Sequence, residues 1–136
     1  MPSPRQIIMI EDNDSDAYLL NLALEKHLDL PYKIKRIDDG EDALTHLKRI
    51  DAEVGALPDL FVVDLNLPKI SGHQLVEYIR GSQRLTSIPI AVVTSSNSPS
   101  DRKVLDRFTI SAYLLKPVDL DEFIELGRVL SSCLQP

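Results

Sequence analysis

Short apolar segments alternate with longer segments of mixed polarity along the whole chain. The apolar segments are residues 7–10, 32–37, 59–64, 88–94 and 112–116. Short continuous apolar runs that end in turn residues are typical of strands buried on both faces of a sheet. The second segment, YKIKRI, alternates instead and indicates a strand with one solvated face. The pattern therefore predicts five strands.

The segments between these strands place apolar residues at helical spacing. Residues 15–28 carry Leu20, Leu24 and Leu28 on one face, which predicts the first helix. Further helices are predicted around 43–50, at 73–81, at 101–108 and after Asp119, and residues 51–58 are predicted as a loop. Asp119 is the expected N-cap of the last helix, with Glu122 three residues later. The buried positions of that helix are expected to be Leu120, Phe123, Ile124, Gly127, Leu130 and Leu134.

Five strands that are each followed by a helix predict an α/β fold with a parallel sheet. We expect the flavodoxin-like doubly wound (βα)5 architecture, a five-stranded parallel sheet with strand order 2-1-3-4-5 and helices on both faces. A chain of 136 residues has the length of one domain. We therefore expect a single domain over residues 1–136 with no output domain.

Composition and charge narrow the classes of function. A net charge of −6 argues against binding nucleic acid through a basic surface. Cys133 is the only cysteine, which excludes an internal disulfide and the Cys/His spacing of zinc sites. The segment before Glu11 has too few apolar residues for a signal peptide or a membrane span. We therefore expect a cytoplasmic protein.

Polar side chains stand at the predicted carboxyl ends of four strands. The first strand is followed by Glu11 and Asp12, and the other strand ends carry Asp64, Thr94 and Lys116. Since the first and third strands are neighbours in the expected order, three carboxylates converge at one edge of the sheet. Their repulsion calls for a cation among them, and carboxylate ligands with room for water suit Mg²⁺. A single acid could simply end its strand at a solvated loop, but three acids, a threonine and a lysine at one edge indicate a site.

The same residues stand in four motifs. These are the pair Glu11–Asp12, DLNLPKISG from Asp64, VVTSS around Thr94 and YLLKP from Tyr113. With these motifs in this order at strand ends, the chain resembles the receiver domain of two-component response regulators over nearly its full length. The exact sequence DLNLPKISG and the long loop before the third strand make the chain similar to the stand-alone regulators that are partners of bacterial phytochrome histidine kinases.

The resemblance implies a role for each matching residue. Asp64 would be the phosphoacceptor of a histidine kinase, Lys116 would neutralise a phosphoryl oxygen, and Thr94 would donate its hydroxyl to the phosphoryl group. Tyr113 would be the aromatic partner of Thr94 in a switch. The ligands of Mg²⁺ would be Asp12, Asp64 and the backbone carbonyl of Asn66, with Glu11 acting through water.

The resemblance also implies partners. They are a sensor histidine kinase, of the phytochrome type in this subgroup, a downstream protein or phosphotransfer partner, and a second copy in a homodimer. If Thr94 moves towards a phosphoryl group, the Tyr113 ring can take the space, which would change the surface of the fifth strand and its flanking helices. We expect that surface to carry the partner contact. No binding to nucleic acid or membrane, and no turnover of an independent substrate, is expected.

Three other interpretations stay open on the sequence. A phosphohydrolase that forms an aspartyl phosphate needs an acid two residues after its nucleophile, where this chain has Asn66. A flavin or nucleotide module needs a Gly-rich or Ser/Thr-rich phosphate loop after the first strand, where this chain has the acidic EDND. A degenerate receiver would bind partners without being phosphorylated.

Two details of the motifs carry expectations of their own. Ser95 stands where family members usually carry Ala or Gly, so access to the phosphoryl site is expected to differ. A cis peptide bond is expected between Lys116 and Pro117, because the lysine must turn sharply from its strand towards the acids.

Overall fold

The computed structural model describes residues 3–53, 55–96 and 98–134. Strands and helices alternate along the chain. The strands are β1 (Arg5–Ile10), β2 (Tyr32–Ile37), β3 (Leu60–Val63), β4 (Ile90–Thr94) and β5 (Ala112–Leu115). The helices are α1 (Asp14–His27), α2 (Gly40–Ala52), α3 (Gly72–Gly81), α4 (Pro99–Leu105) and α5 (Leu120–Ser132).

The strands pair in parallel in the order β2-β1-β3-β4-β5. This is the flavodoxin-like order, so the expected fold is confirmed. β1 and β3 are neighbours in the middle of the sheet, and Ile10 lies opposite Val63 at their carboxyl ends. Because these two residues are level, the next residues along each strand, Glu11 and Asp64, come side by side.

Alternate residues of the central strands are buried on opposite faces of the sheet. In β1, Ile8 and Ile10 join the core under α2, α3 and α4, whereas Ile7 and Met9 join the core under α1 and α5. Both faces of β1, β3 and β4 are therefore covered, which explains their continuous apolar sequences. No helix within the described ranges is long and apolar enough to cross a membrane.

One predicted loop is partly helical. α2 continues through Asp51 and Ala52, which the sequence pattern assigns to the loop 51–58. The Asp51 carboxylate accepts hydrogen bonds from Tyr78 Oη at 2.9 Å and from Ser82 Oγ. These bonds tie the end of α2 to α3 and account for the extra helical residues. Val54, in the same predicted loop, lies outside the described residues.

The last two helices differ in detail from the prediction. α4 starts two residues earlier and ends three residues earlier than predicted. In α5, Asp119 is the N-cap as predicted, and its side chain accepts the Glu122 amide at 3.0 Å. The expected burial of Leu120 is wrong, because Leu120 is 57% exposed, and Ile124 is only half-buried. Leu120 is the first residue of the helix and lies one turn before the buried Phe123, at a position that stays exposed. The confirmed buried positions are Phe123, Gly127, Leu130 and Leu134.

The expected cis bond between Lys116 and Pro117 is also wrong, since this bond is trans. The Lys116 amide donates to the carbonyl oxygen of Thr94 at 2.8 Å, so the chain stays extended beyond the end of β5. From this extended position the long lysine side chain reaches the acids without a sharp turn of the backbone.

Candidate functional site

Three carboxylates meet at the carboxyl ends of β1 and β3. Glu11, Asp12 and Asp64 each offer an oxygen, and these oxygens lie within 4.8 Å of one another. Glu11 is 1% exposed and Asp64 4% exposed, whereas Asp12 is exposed. The convergence expected from the strand order is therefore present. Clustered carboxylate oxygens with one side open to solvent fit a hard divalent cation that keeps part of its water shell.

The backbone holds the two buried acids in place. The Glu11 amide donates to the carbonyl of Ile37 and the Asp64 amide to the carbonyl of Ile10, each at 3.0 Å. These bonds extend the hydrogen-bond ladders of the strands by one residue, so the sheet fixes the backbone positions of both acids. The Asn66 amide donates to Asp64 Oδ1 at 3.1 Å. Asn66 therefore lies beside the cluster, although its side chain is exposed.

Lys116 places its ammonium group among the acids. Lys116 Nζ lies 2.7 Å from Glu11 Oε1 and 3.0 Å from Asp64 Oδ2, and the lysine side chain is 8% exposed. A third carboxylate, Asp16 Oδ2 in the first turn of α1, lies 2.8 Å from the same nitrogen. The sequence interpretation missed Asp16. The available signal was only its position in the first turn of α1, the helix that begins shortly after Glu11 and Asp12.

The shared cation changes the acidity of its partners. Burial raises the pKa of Glu11 to about 8, and the neighbouring Asp64 adds to this, while the hydrogen bond from Lys116 opposes it. Burial by itself would lower the pKa of Lys116. The hydrogen bonds to Asp16, Glu11 and Asp64 outweigh that effect, so the pKa of Lys116 is raised above its ordinary value. Lys116 therefore stays cationic, and the acids compete for one positive charge.

The loop after β3 is fixed by close backbone contacts. A Cβ added to Gly72 would lie 2.3 Å from the Asp64 carbonyl oxygen, and one added to Gly40 would lie 1.9 Å from the Ile70 carbonyl oxygen. Only glycine permits backbones to approach so closely. Lys69 between these contacts has a φ of 70°, in the left-handed region. The loop that follows Asp64 is thus held by Gly72 against Asp64 and by Gly40 against Ile70.

Thr94 and Tyr113 lie on the same face of neighbouring strands. Tyr113 lies opposite Val92, two residues before Thr94, and strand side chains alternate between faces. Thr94 is fully buried and its hydroxyl oxygen accepts the Ser96 amide at 3.1 Å. Tyr113 is half-buried and its hydroxyl is 3.4 Å from the Ser96 carbonyl oxygen. The two predicted switch residues are therefore linked through Ser96.

Further polar contacts connect this loop to α3 and α4. Ser96 Oγ donates to the Asp101 carboxylate, and His73 Nε2 lies 3.4 Å from the other oxygen of Asp101. The Arg102 guanidinium lies 4.7 Å from the centre of the Tyr113 ring. Movement of the β4–α4 loop would therefore affect both the tyrosine and the start of α3.

The chain matches one protein family over most of its length. The family model of the response regulator receiver domain matches residues 7–127. Among curated proteins, the probable methanogenesis regulatory protein FilR2 of Methanothrix harundinacea (strain 6Ac) is 34% identical over 119 residues, which are 88% of this chain and 76% of that protein.

Solved structures of response regulators have a similar fold. The phosphorylated cyanobacterial phytochrome response regulator RcpA has a TM-score of 0.84 at 25% identity, covering 96% of this chain and 93% of that one. The Mn²⁺-bound form of the response regulator Rcp1, a protein of Synechocystis sp., has a TM-score of 0.84 at 26% identity, covering 95% and 93%.

Proposed function

The chain belongs to the response regulator receiver family, and on that premise we propose that it accepts a phosphoryl group from a histidine kinase on Asp64. The observation that carries the proposal is the position of Asp64. This carboxylate is buried at the end of a core strand, 3.0 Å from Lys116 Nζ and beside two further acids. A buried carboxylate stays ionised only with a cation nearby. Phosphoryl transfer to such a carboxylate also requires positive charge that neutralises the phosphoryl oxygens.

In the proposed reaction, an Asp64 carboxylate oxygen forms a bond to phosphorus as the bond from phosphorus to the kinase imidazole nitrogen breaks. The imidazole leaves with the bonding electron pair, and Asp64 becomes an aspartyl phosphate. Lys116 moves its ammonium to a phosphoryl oxygen and neutralises part of the added charge. Asp64 stays fixed during the transfer because its amide and the following loop are held by the sheet and by Gly72.

We assign a Mg²⁺ site to the same cluster. Asp12, Asp64 and the backbone carbonyl of Asn66 would hold the ion, with Glu11 acting through water. A divalent cation there supplies charge neutralisation for phosphoryl transfer. The donor set supports this assignment, because its oxygens are hard ligands and include an exposed carboxylate. The Mn²⁺-bound form of the similar Rcp1 is in keeping with a divalent ion.

The output is a change of protein contacts. Thr94 donates its hydroxyl to the phosphoryl group and gives up its contact with the Ser96 amide. The β4–α4 loop and the Tyr113 ring then rearrange, because both depend on Ser96. The outer surfaces of α4, β5 and α5 carry exposed apolar side chains, namely Val104, Leu115 and Val129. We propose that this face binds a downstream protein or a second copy of the chain.

We propose that the phosphoryl donor is a histidine kinase of the phytochrome type, because the similar RcpA is a phytochrome response regulator. We do not expect the chain to turn over an independent substrate. Asn66 stands where an aspartyl-phosphate hydrolase would need an acid, and an amide cannot transfer the proton.

Labelling by a small phosphodonor tests the proposal. Incubation with acetyl phosphate and Mg²⁺ should add one phosphoryl group to the wild type, detected by intact mass, and none to Asp64→Asn. Asp59→Asn is a matched control, because Asp59 contacts the Gln6 amide and Arg5 at the opposite edge of the sheet. It should be labelled like the wild type. Labelling of Asp64→Asn at the wild-type level would refute the assignment, and an unlabelled wild type would indicate a degenerate receiver.

A further inference from the structure

The ammonium group of Lys116 is divided among three carboxylates, of which one has no role in the proposed reaction. Glu11 and Asp64 belong to the acid cluster at the ends of β1 and β3. Asp16 belongs to α1 and approaches Lys116 Nζ at 2.8 Å, slightly closer than Asp64 at 3.0 Å. The Asp16 side chain is 26% exposed, against 5% for that of Asp64. Asp16 therefore holds the lysine from the solvent side.

We infer that Asp16 is a positioning residue that competes with the phosphoryl group for Lys116. The inference rests on the proposed function of Asp64. In the unphosphorylated protein Asp16 keeps the ammonium beside the cluster. On phosphorylation, Lys116 reaches a phosphoryl oxygen only by giving up part of its contact with Asp16. Asp16 thus weakens the phosphorylated state relative to the free one.

The negative charge of Asp16 beside Asp64 supports this role. Asp16 Oδ2 and Asp64 Oδ2 lie 2.8 Å and 3.0 Å from the same Lys116 Nζ, so the two carboxylates are close to each other. A phosphoryl group on Asp64 adds roughly −1.5 to −2 charges. The Asp16 carboxylate, which shares Lys116 with Asp64, would repel that group as well as attract the lysine. Both effects disfavour the phosphorylated state, and both are lost when Asp16 is replaced by the neutral Asn.

Asp14 provides a matched control in the same helical turn. Asp14 and Asp16 are the acids of the first turn of α1, so each interacts favourably with the helix N-terminus. Asp14 pairs with Arg36, whose Nη1 lies 2.7 Å from Asp14 Oδ1, and not with Lys116. Replacing either acid by Asn removes one negative charge from the same turn. Only the change at Asp16 removes one of the carboxylate partners of Lys116.

The test uses beryllium fluoride with Mg²⁺ as a non-transferable mimic of the phosphoryl group, titrated by calorimetry into the protein. Asp16→Asn should bind it about three- to ten-fold more tightly than the wild type, the size of one competing ion pair at a partly buried site. Asp14→Asn should bind like the wild type. Asp16→Glu, which keeps the charge, should restore wild-type affinity within about two-fold.

Unchanged or weaker binding by Asp16→Asn would overturn the inference, as would an equal gain in Asp14→Asn, which would show a general charge effect. An Asp16→Glu variant that binds beryllium fluoride as tightly as Asp16→Asn would also count against the inference. Failure of the proposed function has a different signature. In that case wild-type Asp64 takes no phosphoryl group from acetyl phosphate and the wild type binds no beryllium fluoride.

Discussion

Gly72 packs its α-carbon directly against the carbonyl of Asp64. A methyl group at Gly72 would lie 2.3 Å from that carbonyl oxygen and 2.7 Å from the α-carbon of Leu65. Both contacts are with backbone, which cannot rotate away as a side chain can. The start of α3 therefore sets the position of the strand end that carries the predicted phosphoacceptor.

Gly72→Ala should destabilise the protein by about 2–3 kcal/mol, the usual size of overpacking at a tight site. It should also slow acetyl-phosphate labelling of Asp64, because the backbone of Asp64 has to shift. Chemical denaturation and intact mass measure the two effects. Gly81→Ala is the control in the same helix, since a methyl group there meets nothing within 4 Å. It should be neutral or stabilise by up to about 1 kcal/mol. Equal stability of the two variants would contradict the packing argument.

Glu11 should make the metal-free protein less stable as the pH rises. Its pKa is about 8 in the folded chain, against an ordinary value of 4.5. The folded state therefore binds the proton more tightly than the unfolded state does. This contribution to stability is fully present below pH 4.5 and is lost as the pH rises towards 8. The loss is at most about 1.4 kcal/mol for each pH unit.

Denaturation in EDTA between pH 5 and pH 8 tests this, with Glu11→Gln as the comparison. Glutamine mimics the neutral acid and does not titrate, so the wild type should lose stability relative to the variant as the pH rises. The difference between the two proteins removes the contribution of the histidines. Parallel curves for the two proteins would show that the pKa of Glu11 is not raised.

The parts of the fold that follow local rules could be predicted from the sequence. The β1, β3 and β4 segments are apolar on both faces, which predicts a doubly covered parallel sheet, and parallel strands bring Glu11 and Asp64 to one edge. The contact of Asp16 with Lys116 could not be predicted in this way. It depends on how α1 is placed over the sheet and spans 100 residues of sequence.

Tertiary contacts explain the other differences. The periodicity of α5 includes Leu120, but burial also depends on which elements cover the end of the helix, and Leu120 at the first helical position is exposed. The end of α2 lacks a helical pattern and is held by the bonds of Tyr78 and Ser82 to Asp51. The bond after Lys116 has the ordinary trans form, and the extended backbone there already lets the lysine side chain reach the acids.

Tyr113 is expected to carry the output of the switch. Tyr113 is held by a long hydrogen bond of 3.4 Å to the Ser96 carbonyl and by the Arg102 guanidinium, 4.7 Å from its ring centre. A bond of that length is weak, so a small movement of the loop is enough to release the ring. Phosphorylation that draws Thr94 away from the Ser96 amide supplies such a movement. If the face of α4, β5 and α5 forms the dimer contact, phosphorylation should increase self-association in the wild type.

Sedimentation velocity with and without acetyl phosphate and Mg²⁺ measures this effect. Tyr113→Ala should be labelled on Asp64 as the wild type is, yet fail to change its association state, because it lacks the ring that responds to Thr94. Tyr113→Phe keeps the ring and the Arg102 contact but loses the hydroxyl, so it should retain most of the response. A labelled wild type with unchanged association would exclude self-association as the output. A full response in Tyr113→Ala would instead show that the ring is an ordinary half-buried aromatic and that the signal leaves Ser96 by another route, of which the Asp101 and His73 contacts are the nearest.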